Sequence, residues 1–417
     1  MKPFPEPLRL QQQATEEGSC PQLLSPAEEM QAARFMQEQF RMIPRVSPRI
    51  PNFRVQETLS NVAQIMLSRH SSVDPSAEEV QQYATELWQS KAPSTWEVYA
   101  SNWFRWVSHC STCGTKPLPV DSEELRTFLG KEKQRLQAAG STASSIENLV
   151  SAIKAVSEAA GDLDPFRDTR LNVAHEAAKR TLGFKKLPKD PIGQEVLRQA
   201  TAQVQLQHNS LQQLALLTCW KVAYEAALRW DDLCSIRLGL CLWCQDIVRI
   251  FLTRTKTDKY LEGQWVAIPL EQESHTAAQL MWQLIKRLQE QWLQLPQPRR
   301  AMSAYAEQEQ LNLIATPLVF EFPQGTAAVE FPLEPREFNK KRAYNAFNAF
   351  VKAKSAEQGM DARAVATQSM RRGKTSDLKL QRVDDRIIKL HGRWKSDRAY
   401  QCYIDQIVSQ RLFLQKQ

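Results

Sequence analysis

Apolar positions along the chain fall into two regimes. From residue 74 onward they recur at three- and four-residue steps: Trp96, Tyr99, Trp103, Trp106 and Val107 in one run, Ile146, Leu149, Val150, Ile153 and Val156 in another. Each set forms one face of an amphipathic helix. Ser76 with Glu79, Ser94 with Glu97, and Ser144 with Glu147 stand at capping-box spacing and predict three helix starts. With further helices from Asp121 and over Leu171–Leu182, the pattern predicts a helical domain of four or five helices spanning 74–184. Residues 1–73 are different. They are rich in Pro, Gln and Ser, and "RMIPRVSPRIPNFRV" sets three prolines among four arginines. Weak periodicity there predicts a disordered or loosely structured, partly basic arm.

"GFKKLPKDPIG" (Gly183–Gly193) is basic and broken by prolines, which predicts a linker between domains. Helical patterning resumes through Leu240. "IVRIFLTRTK" and "QWVAIPL" then read as two strands joined by a loop containing "TDKYLEG". A helix over His275–Leu293 and an irregular stretch to Pro335 lead into helices from Phe338 onward. The second domain, 185–417, is therefore expected to be helical with a small inserted antiparallel sheet, and the whole chain mainly α. No internal repeat, G-x-x-x-x-G-K phosphate loop or dinucleotide-binding glycine fingerprint occurs.

Composition adds three points. At 417 residues the chain is long enough for two domains. Hydrophobic content of 42% and charged content of 24% are those of a globular protein, and a net charge of +8 leans toward a polyanionic partner. No apolar run approaches the roughly 20 residues that span a bilayer, and the N-terminus lacks the apolar core of a secretion signal, so an intracellular protein is expected. Two of the eight cysteines form the CxxC pair Cys110–Cys113, placed by the pattern in a loop after a helix; Cys241–Cys244 form another. Neither pair has histidines at zinc-finger spacing, so ordinary buried thiols and no metal are expected.

Four stations in the second domain carry candidate chemistry. "AALRWDDLCSIRL" places Arg229 three residues before Asp232. "RTKTDK" puts Lys256 at the tip of the strand pair, "ATQSMRRGKTSDL" sets Gln368 three before Arg371, and "GRWKSDRAYQCYI" sets Trp394 nine before Tyr403. Taken singly, each has a bland reading: a surface arginine, a solvated lysine, a phosphate-binding face, a packed aromatic.

Together and in this order they resemble the tyrosine recombinases, or phage-type integrases. That family's signature is an Arg with an acidic residue three later, a hairpin Lys, a His-x-x-Arg, a His or Trp, and a Tyr nine residues on. The wording "SMRRGKTSDL…GRWKSD…YI" is closest to recombinases of the DIRS- and Crypton-like mobile elements, which would imply a nuclear location. The resemblance covers residues 190–415, and the upstream helical domain is similar to the family's core-binding domain. It implies a two-domain clamp on double-stranded DNA, a homo-tetramer assembled on DNA, and strand cleavage through a 3′-phosphotyrosine with no metal or other cofactor. Tyr403 would be the nucleophile, Arg229 and Arg371 would hold the non-bridging phosphate oxygens, and Lys256 would protonate the leaving 5′ oxygen. Trp394 would donate its indole N–H, and Asp232 would buttress the first arginine. Tyr400, six residues after Trp394, is off the family spacing and is expected to pack.

One station departs from the pattern. Gln368 stands where the family has histidine; an amide can bond a phosphate oxygen but cannot exchange a proton near neutral pH. Two alternatives follow. One is a domesticated DNA-binding protein of the same fold with weakened catalysis; the other is a type IB topoisomerase. The segment after Tyr403, "IDQIVSQRLFLQKQ", is amphipathic and suited to docking on a neighbouring subunit or on its own domain.

Overall fold

The computed structural model describes residues 23–42, 51–70, 73–183, 189–202, 210–253, 255, 258, 262–270, 275–294, 306–307, 310–311, 316–319, 340–401 and 403. The chain forms two compact units, one of residues 46–188 and one of 1–45 with 189–417.

Two helices occupy the stretch expected to be a loose arm. α1 (Pro26–Met42) belongs to the larger unit, and α2 (Phe53–His70) belongs to the helical one. α2 buries Val55, Leu59, Val62 and Ala63, which are spaced for one helical face but flanked by the prolines that dominated the sequence pattern. The rest of that unit is α3 (Ala77–Ser90), α4 (Pro93–Cys113), α5 (Ser122–Ala138), α6 (Ala143–Ala159) and α7 (Thr169–Leu182). Their apolar faces, including Trp96, Trp103, Trp106, Phe128, Ile146 and Ile153, meet in one core. Indole polarity is satisfied there by backbone: Trp96 Nε1 donates to the Leu87 carbonyl at 2.8 Å and Trp106 Nε1 to that of Pro117 at 3.0 Å.

Of the three predicted caps, only Ser76–Glu79 forms a capping box. α4 starts two residues earlier than predicted, with Ala92 in place of Ser94 at the cap, because Pro93, whose ring presets the helical φ, occupies its first position. α6 starts at Ala143, and the Thr142 hydroxyl bonds that of Ser144 at 2.9 Å instead of capping the backbone. The Cys110–Cys113 pair lies inside the last turn of α4, not in a loop, and Cys113 is exposed.

The larger unit continues with α8 (Gln194–Ala202), α9 (Leu211–Glu225), α10 (Trp230–Cys234), β1 (Cys241–Trp243), β2 (Ile247–Leu252) and β3 (Gln264–Pro269). Then come α11 (Ala277–Gln294), the two-residue strands β4 (Ala306–Glu307) and β5 (Gln310–Leu311), α12 (Lys340–Glu357), α13 (Ser369–Leu380), α14 (Asp385–Gly392) and α15 (Asp397–Gln401). The mainly helical expectation with an antiparallel sheet holds, and the sheet gains a third strand: β1 pairs with β2, and β2 with β3. α9 is apolar nearly all round and forms the centre of the core.

β2 is covered on both faces. Val248, Ile250 and Leu252 enter the main core, whereas Phe251 packs with Leu24, Ala32, Ala33 and Met36 at the N-terminus. Arg249 on that second face pairs with Glu29 of α1 at 2.7 Å. The apolar stripe of α1 is built largely from alanine, too weak a signal to stand out from a Gln-rich segment.

The predicted linker is linker only in part. Asp190 N–H donates to the Ala364 carbonyl at 2.8 Å and Ile192 N–H to that of Ser369 at 3.0 Å, so 189–193 run along the entry to α13. Ile192 crosses α13 at Gly373, where a Cβ would lie 1.7 Å from the Ile192 carbonyl oxygen. Only glycine permits that crossing.

Candidate active site

The chain turns sharply after α9. Ala227 adopts φ 46°, an uncommon conformation for a residue with a side chain, and the turn presents the carbonyls of Ala226 and Ala227 inward. Arg229 follows immediately, ahead of α10, and Asp232 sits in the first turn of that helix. Arg371 lies in the first turn of α13, behind Gln368. A second unusual turn ends α14: Arg393 is left-handed at φ 57°, and the N–H groups of Arg393 and Trp394 close it on the carbonyls of Leu390 and Lys389, each at 3.0 Å. Gly392 lies against the Trp394 ring so closely that a Cβ would come within 1.6 Å of a ring carbon. Tyr403 stands just beyond α15, its N–H donating to the Tyr400 carbonyl at 2.8 Å.

These turns gather the side chains. Arg371, almost wholly buried, donates through Nη1 to the Ala227 carbonyl at 2.6 Å and through Nη2 to the Gly392 carbonyl. Its guanidinium stacks on the Trp394 ring, 4.2 Å from the centroid, and lies 5.1 Å from that of Tyr403. The Trp394 and Tyr403 ring centroids are 5.2 Å apart. Asp232, fully buried, accepts from Arg393 Nη2 at 2.9 Å and from the Arg229 N–H at 3.2 Å, with Arg229 Nη1 at 3.8 Å.

Two guanidiniums, those of Arg393 and Arg229, thus flank one carboxylate, and Arg371 lies near enough to feel its charge. Burial, with Arg229 and Arg393 close by, lowers Arg371 from its usual value to about 9, so it stays charged at neutral pH. Burial lowers Arg393 as well, against the opposing pull of Asp232. Four buried donors in this cluster have no hydrogen-bond partner among the described residues: Arg229 Nη1, Arg371 Nε, Arg393 Nε and Trp394 Nε1. Unsatisfied buried donors are costly, and a preformed group of them together with excess positive charge suits a tetrahedral oxyanion.

The structure therefore brings together Arg229, Asp232, Arg371, Trp394 and Tyr403. Gln368 is exposed at the start of α13, and its side chain does not cap that helix. Lys256 lies outside the described residues, as does the segment after Tyr403. Tyr400 is packed: its hydroxyl donates to Asp385 Oδ1 at 2.8 Å, and burial pushes its ionisation up. His391 bonds the Glu225 carbonyl at 2.9 Å, and burial beside Lys374 lowers it to about 4, leaving it neutral. Arg393 is the member that sequence reasoning missed. Its signal was available only as an arginine in "GRW", a setting where a left-handed residue is usually glycine.

No family model and no curated relative matches the chain. The solved structures it resembles are recombinases and integrases. They include a XerH site-specific recombinase bound to its palindromic difH substrate (TM-score 0.48, 14% identity, 91% of this chain and 92% of that one). They also include the Tn1549 transposon integrase with circular intermediate DNA (0.42, 12%, 83% and 95%). A lambda integrase dimer bound to a COC′ core site matches at 0.38 and 14%, over 84% and 94%. At these identities and scores the matches carry no functional argument of their own; the side-chain geometry does.

Proposed function

We propose that the protein is a site-specific DNA recombinase or integrase that cuts and rejoins strands through a covalent phosphotyrosine at Tyr403. The observation that carries the reading is the buried donor cluster of Arg229, Arg371, Arg393 and Trp394 beside the Tyr403 ring. A scissile phosphodiester supplies the negative charge and the acceptor oxygens such a cluster lacks.

In the proposed reaction the Tyr403 phenol gives up its proton to solvent as its oxygen attacks phosphorus, the P–O5′ bond breaks, and the protein holds the 3′-phosphate. Trp394 Nε1 and the arginine donors stabilise charge on the non-bridging oxygens. Arg371 is held by two backbone carbonyls and a ring face, so its position is set before substrate arrives. The departing 5′ oxygen requires a proton, the role the family resemblance gives Lys256. Gln368 cannot serve as acid or base, and replacing a proton-transfer group typically costs on the order of 10²–10⁴ in rate. Its exposure favours one second reading, a DNA-binding protein of this fold with weakened chemistry. Exchange between two duplexes needs four such sites, which makes a tetramer on DNA part of the proposal.

The test is covalent trapping on nicked suicide duplexes built from DNA flanking the gene. Wild type should form an adduct that Tyr403→Phe does not. Adduct formation by Tyr403→Phe would refute the nucleophile. Binding without joining in the wild type, reversed by Gln368→His, would favour the weakened DNA-binding reading; relaxation of an arbitrary plasmid by the monomer would favour a topoisomerase.

A further inference from the structure

The helical unit holds a second cluster that the proposed strand chemistry does not use. His109 and Cys113 lie one turn apart in the last turns of α4, and Glu124 lies in the first turn of α5. One ligand atom from each, an imidazole nitrogen, a thiol sulfur and a carboxylate oxygen, all fall within 4.8 Å of one another. His109 Nε2 is 2.6 Å from Glu124 Oε1 and 3.8 Å from Cys113 Sγ. We propose that His109, Cys113 and Glu124 bind a zinc ion that clamps the end of α4 to the start of α5, with water as the fourth ligand.

Four features support the site. The donor set of one nitrogen, one thiolate and one carboxylate suits a borderline-soft, four-coordinate ion. Tetrahedral zinc separates a bound imidazole nitrogen from a thiolate by about 3.5 Å, close to the observed 3.8 Å. Charge also balances, because thiolate and carboxylate together offset a divalent cation. Finally, the histidine is oriented in advance: its ring stacks on Phe128 at 5.0 Å and lies 5.8 Å from Trp106, with Nε2 directed at the carboxylate. Cys113 is exposed and Glu124 partly so, which lets an ion enter and water complete the shell. Binding would draw His109 Nε2 and Glu124 Oε1 apart from 2.6 Å to about 3.3 Å, replace their hydrogen bond by two metal bonds, move the proton of Nε2 to Nδ1, and release the Cys113 thiol proton to solvent.

Cys110, the other thiol of the CxxC pair, is buried and belongs to the hydrophobic core of this unit. The ligand set therefore pairs only one cysteine of that motif with groups the motif does not contain. The connection it would clamp runs from Gly114 to Asp121, and closing such a loop stabilises the folded state by restricting the unfolded one.

The experiment titrates the full-length protein with Zn²⁺ and, separately, with Co²⁺, reading metal per chain after dialysis and the thiolate-to-cobalt charge-transfer band. Wild type should retain one equivalent, show the band, and melt at a higher temperature with zinc. Cys113→Ser should lose the band, and Glu124→Gln should weaken binding at least tenfold. Both positions are solvent-accessible, so circular dichroism should show the variants folded. His109→Ala is a poorer probe because it also opens the stacked core. Wild type that binds no metal, or Glu124→Gln that binds as wild type does, would overturn the assignment. So would binding abolished by Cys110→Ser in a variant that is still folded, because the site would then be the CxxC pair.

Discussion

Replacing Asp232 with asparagine tests the charge balance of the cluster most directly. The substitution keeps the volume, and the amide oxygen can still accept from Arg393, so packing is held nearly constant while the negative charge is removed. The carboxylate is fully buried, with guanidinium nitrogens at 2.9 Å and 3.8 Å. At an effective dielectric of about 20, each such contact is worth roughly 4–6 kcal/mol gross, much of which is offset by desolvation. Removing one partner of a buried charge group leaves the others uncompensated and costs about 3–5 kcal/mol. Here Arg393, Arg229 and Arg371 would be left facing one another. The assay is urea unfolding followed by tryptophan fluorescence, fitted as two transitions where the units melt separately. The larger unit's midpoint should fall by about 1–2 M. A loss below about 1 kcal/mol would show that the guanidiniums are not confined against this carboxylate, and the preformed anion site would fail with it.

Trp394→Phe keeps a ring beneath Arg371 but deletes the unpartnered Nε1–H; DNA cleavage should fall by on the order of 10²–10³ with duplex binding nearly unchanged, measured by adduct formation against gel shift. Equal cleavage would remove Trp394 from the donor set. Gly373→Ala drives a Cβ into the Ile192 carbonyl oxygen and should cost at least about 2–3 kcal/mol in the same unfolding assay, because the obstacle is backbone and cannot rotate away. His391 titrates near its ordinary value of 6.5 when unfolded and near 4 when folded, so its contribution is complete above pH 6.5 and is lost as the pH falls toward 4. The loss reaches roughly 3 kcal/mol at most. His391→Gln should therefore flatten the stability profile between pH 6.5 and 4, and an unchanged slope would contradict the buried neutral histidine.

Much of the fold was legible because burial leaves a local period. Tryptophans at helical spacing in α4, β-branched residues in β2 and β3, and the serine and glutamate opening α3 each declare an element within ten residues or so. α1 and α2 were not legible. Their apolar stripes are thin, and prolines and glutamines around them mimic a loose arm. α1 is a helix in this protein because the far face of β2 offers Phe251 and Arg249 as partners, and no window of sequence contains both sides of that contact.

The same division holds at the candidate site. The residue types and their order along the chain, from Arg229 and Asp232 through Arg371 to Trp394 and Tyr403, are a property of the sequence alone, as is the glutamine at 368. Only tertiary structure decided which of these side chains meet, that Arg393 joins them, that Tyr400 is tied to Asp385, and that Gln368 faces solvent. The reason is physical. A helical period reports which side of an element is apolar, but whether a buried donor finds an acceptor depends on carbonyls such as those of Ala227 and Gly392, which reach Arg371 from distant parts of the chain.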